Sequence, residues 1–169
     1  MVSFDPDISD THRFFMQKAL DEAARAGERG EVPVGCVIVR NGRIVGRGHN
    51  QRELLQDATA HAEMIAISAA CETIGSWRLD ECVIYVTLEP CPMCAGAIVL
   101  SRIPKLVFAA CDPKAGACGT LFDIVSDERL NHRVDVTSGV MAEESQFLLK
   151  KFFKTLRKSD QSEEESGCS

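Results

Sequence analysis

The sequence predicts an α/β protein, a three-layer α/β/α sandwich built on a five-stranded mixed sheet. Short apolar segments of strand length alternate with longer segments of helical periodicity along most of the chain. An Asn-Gly pair at positions 41–42 separates the first two strand segments, which is typical of a tight antiparallel hairpin. A hairpin followed by alternating helices and strands indicates a sheet with both antiparallel and parallel pairs.

The first half of the chain is predicted to contain a helix, the hairpin and a second helix. Helical spacing of Met16, Leu20 and three alanines indicates the first helix, which Ser9 or Asp10 would cap. The segments that follow are, in order, a buried strand (VPVGCVIV), its hairpin partner (IVGRGHN) and, after a polar loop, a helix (TAHAEMIAISAACETIG).

The second half continues the alternation, so the sheet is expected to be mainly parallel beyond the hairpin. Its segments are, in order, a strand (CVIYVTL), a helix that opens with proline (PCPMCAGAIVLSRI), a strand (KLVFAA), a Gly-rich region with one short helix (CDPKAGACGTLFDIVSDERLNH), a fifth strand (RVDVT) and a closing helix (AEESQFLLKKFFKTLRK). Apolar residues on one side of the closing helix form a stripe expected to pack on the core.

Composition is that of a globular domain, with 45% hydrophobic and 26% charged residues. No apolar run reaches the roughly 18 residues that a membrane helix needs, so no membrane partner is expected. The first residues lack the basic and apolar regions of a secretory signal. We therefore expect a cytoplasmic location with reduced thiols, where eight cysteines indicate metal binding or burial rather than disulfides.

We expect one domain over residues 1–158 and a disordered acidic tail over residues 159–169. The tail segment is rich in serine and glutamate and contains almost nothing that could pack. The net charge of −6 argues only mildly against a nucleic-acid partner, because five basic residues are concentrated just before the tail. These residues are Lys150, Lys151, Lys154, Arg157 and Lys158.

Cys91 and Cys94 lie three positions apart at the start of a predicted helix. They could belong to a structural zinc site, a redox dithiol, a catalytic metal site or the core. A four-thiolate site would need a second cysteine pair, and the other six cysteines show no such spacing. His61 starts another helix that follows a strand, and one nitrogen with two thiolates suits a catalytic zinc that keeps one position for water.

Two carboxylates compete for the role of proton shuttle beside such a metal. Glu63 lies two residues from His61, so the two side chains point in different directions on a regular helix. This leaves Glu63 free to move a proton of the metal-activated water. Glu89 precedes Pro90 at a strand end, and we expect a structural role for it. Because a structural zinc site needs no shuttle, Glu63 argues against a non-catalytic zinc-stabilised RNA-binding module.

His61-x-Glu63 together with Pro-Cys91-x-x-Cys94 matches the signature of the zinc deaminases. More narrowly, residues 10–158 resemble the bacterial tRNA-specific adenosine deaminases (the TadA family). The motifs that carry the resemblance are EVPVGCVIV, GHN, TAHAEM, TLEPCPMCAGAI, SRI, CDPKAGACGTLFD and NHRVDVTSGV. The resemblance implies a cytidine-deaminase-like fold, one zinc per chain held by His61, Cys91 and Cys94, and Glu63 as the catalytic residue. It also implies hydrolysis of a wobble adenosine to inosine.

The resemblance assigns substrate contacts outside the metal site. They are Asn50 at the base, Val32 and Pro33 in the pocket wall, Asp112 and Asn131 at the target or adjacent nucleotide, and Phe152 and Phe153, with Lys154 and Arg157, at the anticodon loop. Simpler roles stay open for several of them. Val32 and Pro33 can start a strand, Asp112 can cap a turn, and the two phenylalanines fit the core stripe of their helix.

The resemblance further implies a homodimer that binds the tRNA anticodon stem-loop. The chain departs from the family pattern at Ala58, where proline is frequent, at Gln51, where a basic residue often follows the asparagine, and at Cys111, where arginine is common. None is an expected metal ligand, but the last two remove positive charge beside the expected RNA path. A deaminase of free nucleobases or nucleosides, of the guanine or cytosine type, is the main alternative.

Overall fold

The computed structural model describes the backbone of residues 6–166 and the side chains of residues 10–159. The elements in this range are α1 (Pro6–Glu28), β1 (Gly35–Arg40), β2 (Arg43–His49), α2 (Arg52–Leu55), α3 (Ala62–Ile74), β3 (Cys82–Leu88), α4 (Pro92–Leu100), β4 (Lys105–Ala110), β5 (Asp135–Ser138) and α5 (Ala142–Ser166). The strands form one sheet in the order β2-β1-β3-β4-β5. β1 is antiparallel to both neighbours, whereas β3–β4 and β4–β5 are parallel. The five-stranded mixed sheet is confirmed, although parallel pairs do not outnumber antiparallel ones.

The connection between β1 and β2 is the tight turn that the Asn-Gly pair predicts. Asn41 has a φ of 51° and Gly42 a φ of 72°, and Arg40 pairs with Arg43 across them. Two successive positive φ values are those of a type I′ turn, whose twist matches the flanking strands. Asparagine tolerates this conformation, and glycine adopts it without steric cost.

Two hydrophobic cores on opposite faces of the sheet create the three layers. One core lies between the sheet and the helices α3 and α4 and includes Ile98. The other lies under α1 and includes Met16, with Leu148 of α5 packed against it. Within β1, Ile38 belongs to the first core and Val37 to the second. This alternation is the period of a strand buried on both faces.

Two glycines of β2 allow α3 to pack directly against the strand. A Cβ atom at Gly46 would lie 2.4 Å from the carbonyl oxygen of Ala66, and one at Gly48 would lie 2.2 Å from that of Ala62. No larger residue fits this contact without moving the helix. The close packing therefore fixes the start of α3, next to His61, against the sheet.

The structure corrects several expected boundaries. α1 begins at Pro6, so Ser9 and Asp10 lie inside the helix and the predicted cap is wrong; proline is favoured in a first turn, where its missing N–H is not needed. The short helix α2 forms where only a polar loop was expected. Residues 111–134, all of them described, contain no helix, because the carboxylate of Glu89 accepts hydrogen bonds from the loop backbone instead.

The end of α5 overlaps the segment that the sequence predicts as a tail. The helix continues to Ser166 and so includes residues 159–166 of that segment. Residues 167–169 lie outside the described part of the chain, and the division at residue 158 stays a prediction. None of the helices within residues 6–166 has the length and apolar character needed to cross a membrane.

Most cysteines outside the predicted metal site fill the interior. Cys36, Cys82 and Cys118 are buried, Cys71 is half-buried and Cys111 is exposed. Cys168 lies outside the described residues.

Candidate active site

The predicted metal ligands lie at one edge of the sheet, where two helices begin. His61 directly precedes α3, Cys91 directly precedes α4, and Cys94 lies in the first turn of α4. Because β1 is antiparallel to both β2 and β3, these two strands point in the same direction and the segments after them meet at one edge. The N-termini of the two helices also favour anionic ligands there.

The three donor atoms have the spacing that a tetrahedral zinc requires. The Sγ atoms of Cys91 and Cys94 each lie 3.6 Å from Nδ1 of His61, and all three atoms lie within 4.8 Å of one another. Zinc–sulfur bonds of about 2.3 Å and zinc–nitrogen bonds of about 2.05 Å at a tetrahedral angle place sulfur and nitrogen roughly 3.6 Å apart. The donor set therefore fits zinc, with a fourth position for water.

The surroundings of the two thiols favour a thiolate. A hydrogen bond from Cys94, opposed by burial and helped by His61, lowers the pKa of Cys91 to about 4. The hydrogen bond to Cys91 raises the pKa of His61 in return, and sharing its proton with Cys91 raises the pKa of Cys94. Cysteine binds metals as the thiolate. Zinc binding would therefore release the proton that Cys91 and Cys94 share.

Glu63 lies in the first turn of α3, with only 3% of its surface exposed. Burial raises the pKa of Glu63 to about 7, although a hydrogen bond with Cys94 and the nearby His61 act in the opposite direction. Among the described residues, the donor group within 4.8 Å contains His61 and the two cysteines but not Glu63. The carboxyl group therefore lies beside the three candidate ligands and outside their donor group.

Glu89, the rival carboxylate, is committed to the loop after β4. Its oxygens accept hydrogen bonds from the N–H groups of Asp112 at 3.0 Å, Cys118 at 3.1 Å and Thr120 at 3.1 Å, and from the Thr120 hydroxyl. Burial alone would raise the pKa of Glu89, but these hydrogen bonds hold it below its ordinary value. Glu89 is an ionised anchor for the loop, as the sequence indicates.

Asn50 is buried next to the metal ligands. Its Oδ1 accepts the N–H of Ala62 at 3.0 Å, directly after His61, and its own N–H donates to the carbonyl of Val34. No described residue accepts a hydrogen bond from its Nδ2 group. The side chain is thus held by its oxygen, and its amide donor remains for a ligand.

The structure separates the two residues expected in the pocket wall. Val32 packs against the core shared with α3 and α4. Pro33 is buried and lines a groove of about 410 Å³ between the end of α1 and α5, together with Phe152. Val32 therefore lies on the same side of the sheet as the candidate metal ligands. Pro33 instead lines the groove between α1 and α5, as does Phe152.

Asp112 lies close to the site, whereas Asn131 is exposed in the segment that leads to β5. Oδ1 of Asp112 accepts the N–H groups of Lys114 at 2.9 Å and Ala115 at 3.2 Å, which is the turn-capping role that the sequence left open. Its N–H is held by Glu89. Capping a turn and contacting a nucleotide are compatible, because only one carboxylate oxygen is used.

The α5 face expected to meet RNA is both aromatic and basic. Phe152 is half-buried, whereas Phe153 is 45% exposed, and their rings meet edge to face at 5.4 Å. Beside Phe153 runs a groove of about 560 Å³, lined by Lys114, Leu149, Lys150, Phe153, Leu156 and Arg157. The exposure of Phe153 argues against a purely core role, and such a surface suits single-stranded nucleic acid.

Sequence reasoning missed a buried polar cluster behind Asn50. The carboxylate of Glu22 in α1 is paired with Nδ1 of His49 at 3.1 Å, accepts a hydrogen bond from Arg25 at 2.9 Å and lies 3.6 Å from Arg47. It attaches the end of β2 to α1, just before Asn50. No local pattern signals this cluster, because its partners lie on separate elements.

Comparison with known families agrees with this geometry. The model of the cytidine and deoxycytidylate deaminase zinc-binding region matches residues 9–110, which include the three donor residues and Glu63. Together with the α/β/α fold, this match defines a zinc-dependent deaminase.

Comparison with individual relatives identifies the family within the zinc-dependent deaminases. The tRNA-specific adenosine deaminase of Bacillus subtilis (strain 168) is 54% identical over 144 residues, which are 85% of this chain and 89% of the relative. A solved structure from a study of A-to-I editing by tRNA:A34 deaminases has a TM-score of 0.78 at 47% identity, and the match covers 80% of this chain and 99% of that one. This chain belongs to the tRNA-specific adenosine deaminase family.

The solved guanine deaminase of Bacillus subtilis is similar over a smaller part of the molecule. Its TM-score is 0.59 at 39% identity, and the match covers 64% of this chain and 70% of that one. The same architecture therefore also serves a deaminase of a free base.

Proposed function

We propose that this chain hydrolyses the wobble adenosine (adenosine-34) of tRNA anticodon loops to inosine and releases ammonia. The observation that carries the proposal is the extent of the similarity to the Bacillus subtilis enzyme. Its 144 aligned residues exceed the matched zinc-binding region of residues 9–110. The similarity thus extends past β4, toward the segments in which RNA contacts are expected, whereas the zinc site alone would fit any deaminase of this class.

Each residue at the metal has a separate task in this reaction. His61, Cys91 and Cys94 hold the zinc, which when bound supplies a Lewis acid that makes water nucleophilic near neutral pH. Glu63 takes a proton from the water on a carboxylate oxygen and passes protons to N1 of adenine and to the leaving amine. The water oxygen ends on C6 and the amine leaves as ammonia. Burial of Glu63 keeps the transferred proton away from bulk solvent.

The base is held by Asn50, with Val32 on the same side of the sheet. Pro33 instead lines the groove with Phe152, which is expected to meet the flanking RNA. The N–H of Ala62 fixes the amide of Asn50 through its oxygen, so the Nδ2 group is oriented before a base arrives. The target nucleotide must leave its stack to enter the site. This costs less in a single-stranded loop than in a duplex, which favours an anticodon loop as the substrate.

The flanking RNA contacts Asp112, Asn131, Phe152 and Phe153. Basic side chains of α5 provide the accompanying positive charge: Lys150, Lys151, Lys154, Arg157 and Lys158. All five are exposed, and none forms an ion pair with the described side chains of residues 10–159. They remain available for phosphates, whose neutralisation dominates RNA affinity.

We also propose that the protein is a cytoplasmic homodimer. Several large apolar side chains are more than half exposed and suit a second copy of the chain: Leu54, Leu55, Trp77 and Leu100. Leu100, at the end of α4, is 71% exposed. Exposed apolar side chains become buried when a second copy covers them, which stabilises a dimer, and the proposed substrate is found in the cytoplasm.

Incubation with a panel of substrates tests this proposal. The purified protein is given anticodon stem-loops with adenosine at the wobble position and, separately, free adenosine, adenine, guanine and cytosine, and inosine and ammonia are measured. We expect efficient deamination of the stem-loop and scarcely any of the free compounds. Rapid ammonia release from guanine or cytosine, with the stem-loop untouched, would support the nucleobase alternative. Stem-loop binding without any turnover would support the non-catalytic RNA-binding module.

A further inference from the structure

The loop between β2 and α3 carries a single positive side chain beside the metal ligands. Between Asn50 and Glu63 the sequence contains one Lys or Arg, namely Arg52. Gln51 occupies the position after the asparagine that is often basic in the family. Compared with the family pattern, the positive charge is therefore one residue further along the chain. Whether it lies near the metal ligands depends on how the loop folds.

Hydrogen bonds close this loop at its base and place Arg52 there. The N–H of Gln51 donates to the carbonyl of Ala60 at 3.0 Å, and the N–H of Ala62 donates to Oδ1 of Asn50 at 3.0 Å. These two bonds join the residues just before Arg52 to those on either side of His61. Arg52 consequently begins α2 at the neck of the loop, next to the donor set.

α2 is also attached to the segment that leads into β1. The buried carboxylate of Glu31 accepts the N–H of Leu54 at 2.8 Å, and the carbonyl of Arg52 accepts the N–H of Asp57 at 3.1 Å. The backbone at Arg52 is thus fixed on both sides, whereas its side chain is exposed. A fixed backbone and a free guanidinium suit recognition of an external anion.

The guanidinium of Arg52 forms no ion pair with the side chains described for residues 10–159, in contrast to Arg25 and Arg47, which both lie against Glu22. The anion that a nucleic-acid substrate brings to such a position is a phosphate, which arginine binds in a bidentate manner.

We propose that Arg52 forms a phosphate-binding subsite at the mouth of the active site and contacts a phosphodiester next to the target adenosine. The inference rests on the proposed function and adds a residue that distinguishes a nucleotide within a chain from a free nucleoside. It also restores the positive charge that Gln51 lacks.

The first experiment compares Arg52→Gln with a matched control, Arg43→Gln. Arg43 is exposed and begins β2, about 20 Å along the strand from the site. For Arg52→Gln we expect kcat/KM on the stem-loop to fall about tenfold to a hundredfold, and the slope of log Kd against log salt to become shallower by about 0.7. Zinc content and the thermal midpoint should not change. Values equal to those of Arg43→Gln would overturn the proposal.

The second experiment removes the charge from the RNA instead. Stem-loops that carry one neutral methylphosphonate linkage, on either side of the target adenosine, are assayed with the parent enzyme and with Arg52→Gln. If Arg52 contacts the neutralised linkage, the parent enzyme should lose about as much activity on that stem-loop as Arg52→Gln loses on the unmodified one. Arg52→Gln itself should lose little further activity when the linkage is neutralised. Additive losses at both linkages would show that Arg52 contacts neither phosphate. If the parent enzyme does not deaminate the unmodified stem-loop, the proposed function is wrong, and the inference about Arg52 fails with it.

Discussion

Two buried glutamates lie near the donor set, and their neighbours give them different chemistry. Glu63 lies beside Cys94 with few hydrogen-bond donors, and burial raises its pKa to about 7. Glu89 accepts four hydrogen bonds from the loop after β4, and these keep its pKa low against the effect of burial. The same functional group is therefore suited to proton transfer in one place and to structural anchoring in the other.

Glu63→Gln should give a folded, zinc-loaded protein that binds the stem-loop but turns over at least about a hundredfold more slowly. The amide keeps the shape of the side chain but cannot accept and return a proton. Single-turnover kinetics, with zinc measured by elemental analysis, check this outcome. Loss of zinc from the variant would instead identify Glu63 as a ligand.

Glu89→Gln should affect stability more than chemistry. The amide replaces an acceptor oxygen with an N–H₂ donor, which then faces N–H groups of the loop and leaves at least one of them without a partner. The expected loss in the free energy of unfolding is about 1–3 kcal/mol, measured by urea denaturation, with zinc retained. Abolished turnover in a variant of unchanged stability would show that the proton shuttle is Glu89.

The helices are positioned by contacts that leave no room for substitution. At Gly48 an added Cβ would meet the backbone of α3 at 2.2 Å, and α3 begins directly after His61. Gly48→Ala should therefore destabilise the protein by about 1–3 kcal/mol and weaken zinc binding. Gly27→Ala is the control, because its Cβ would make an ordinary contact with Pro33 at 3.6 Å. Equal zinc affinity in the two variants, measured by competition with a chelator, would contradict this account.

The attachment of α1 to β3 should make stability depend on pH. Nδ1 of His12 lies 2.9 Å from the Tyr85 hydroxyl, and its buried Nε2 has no hydrogen-bond partner among the described residues. Burial, followed by the charge of Lys105, lowers the pKa of His12 below its ordinary 6.5, with Asp135 opposing. The unfolded chain therefore binds the proton more readily, so this contribution to stability is present above pH 6.5 and is lost as the pH falls.

Replacement of the imidazole tests this dependence. His12→Asn should lose less stability than the parent between about pH 7 and about pH 5, because asparagine does not titrate there. Urea denaturation at a series of pH values gives the two slopes. Identical slopes would exclude His12 as a source of the pH dependence.

The whole molecule should depend on its metal. The first turns of α3 and α4 converge on the donor set from segments that follow different strands, so one zinc per chain joins distant parts of the fold. Removal of zinc by a chelator should lower the free energy of unfolding by about 3 kcal/mol or more. Calorimetry before and after chelation measures the change, and zinc but not magnesium should reverse it. An unchanged midpoint in metal-free protein would contradict this role.

Much of the fold and site could be predicted because the relevant signals are local. Asn41-Gly42 specifies its turn through two backbone conformations, and Cys91 and Cys94 share one helical turn, so their spacing alone places both thiols together. The Glu22–His49 pair, by contrast, joins residues 27 positions apart, and Glu89 reaches 23 to 31 positions along the chain. The hydrophobic periodicity within one segment carries no information about hydrogen-bond partners that lie so far away in the sequence.

Local patterns were therefore enough to predict the α/β/α class, the hairpin and three side chains that the fold brings together as possible zinc ligands. The preference for Glu63 over Glu89 as proton shuttle also came from local patterns and stays a prediction. Three-dimensional packing alone established that α2 places Arg52 beside His61, that Phe153 is exposed while Phe152 is half-buried, and that Glu89 holds the loop carrying Asp112. The reason is physical. A motif specifies which groups can react, whereas their pKa values, partners and exposure depend on residues from other elements that packing brings into contact.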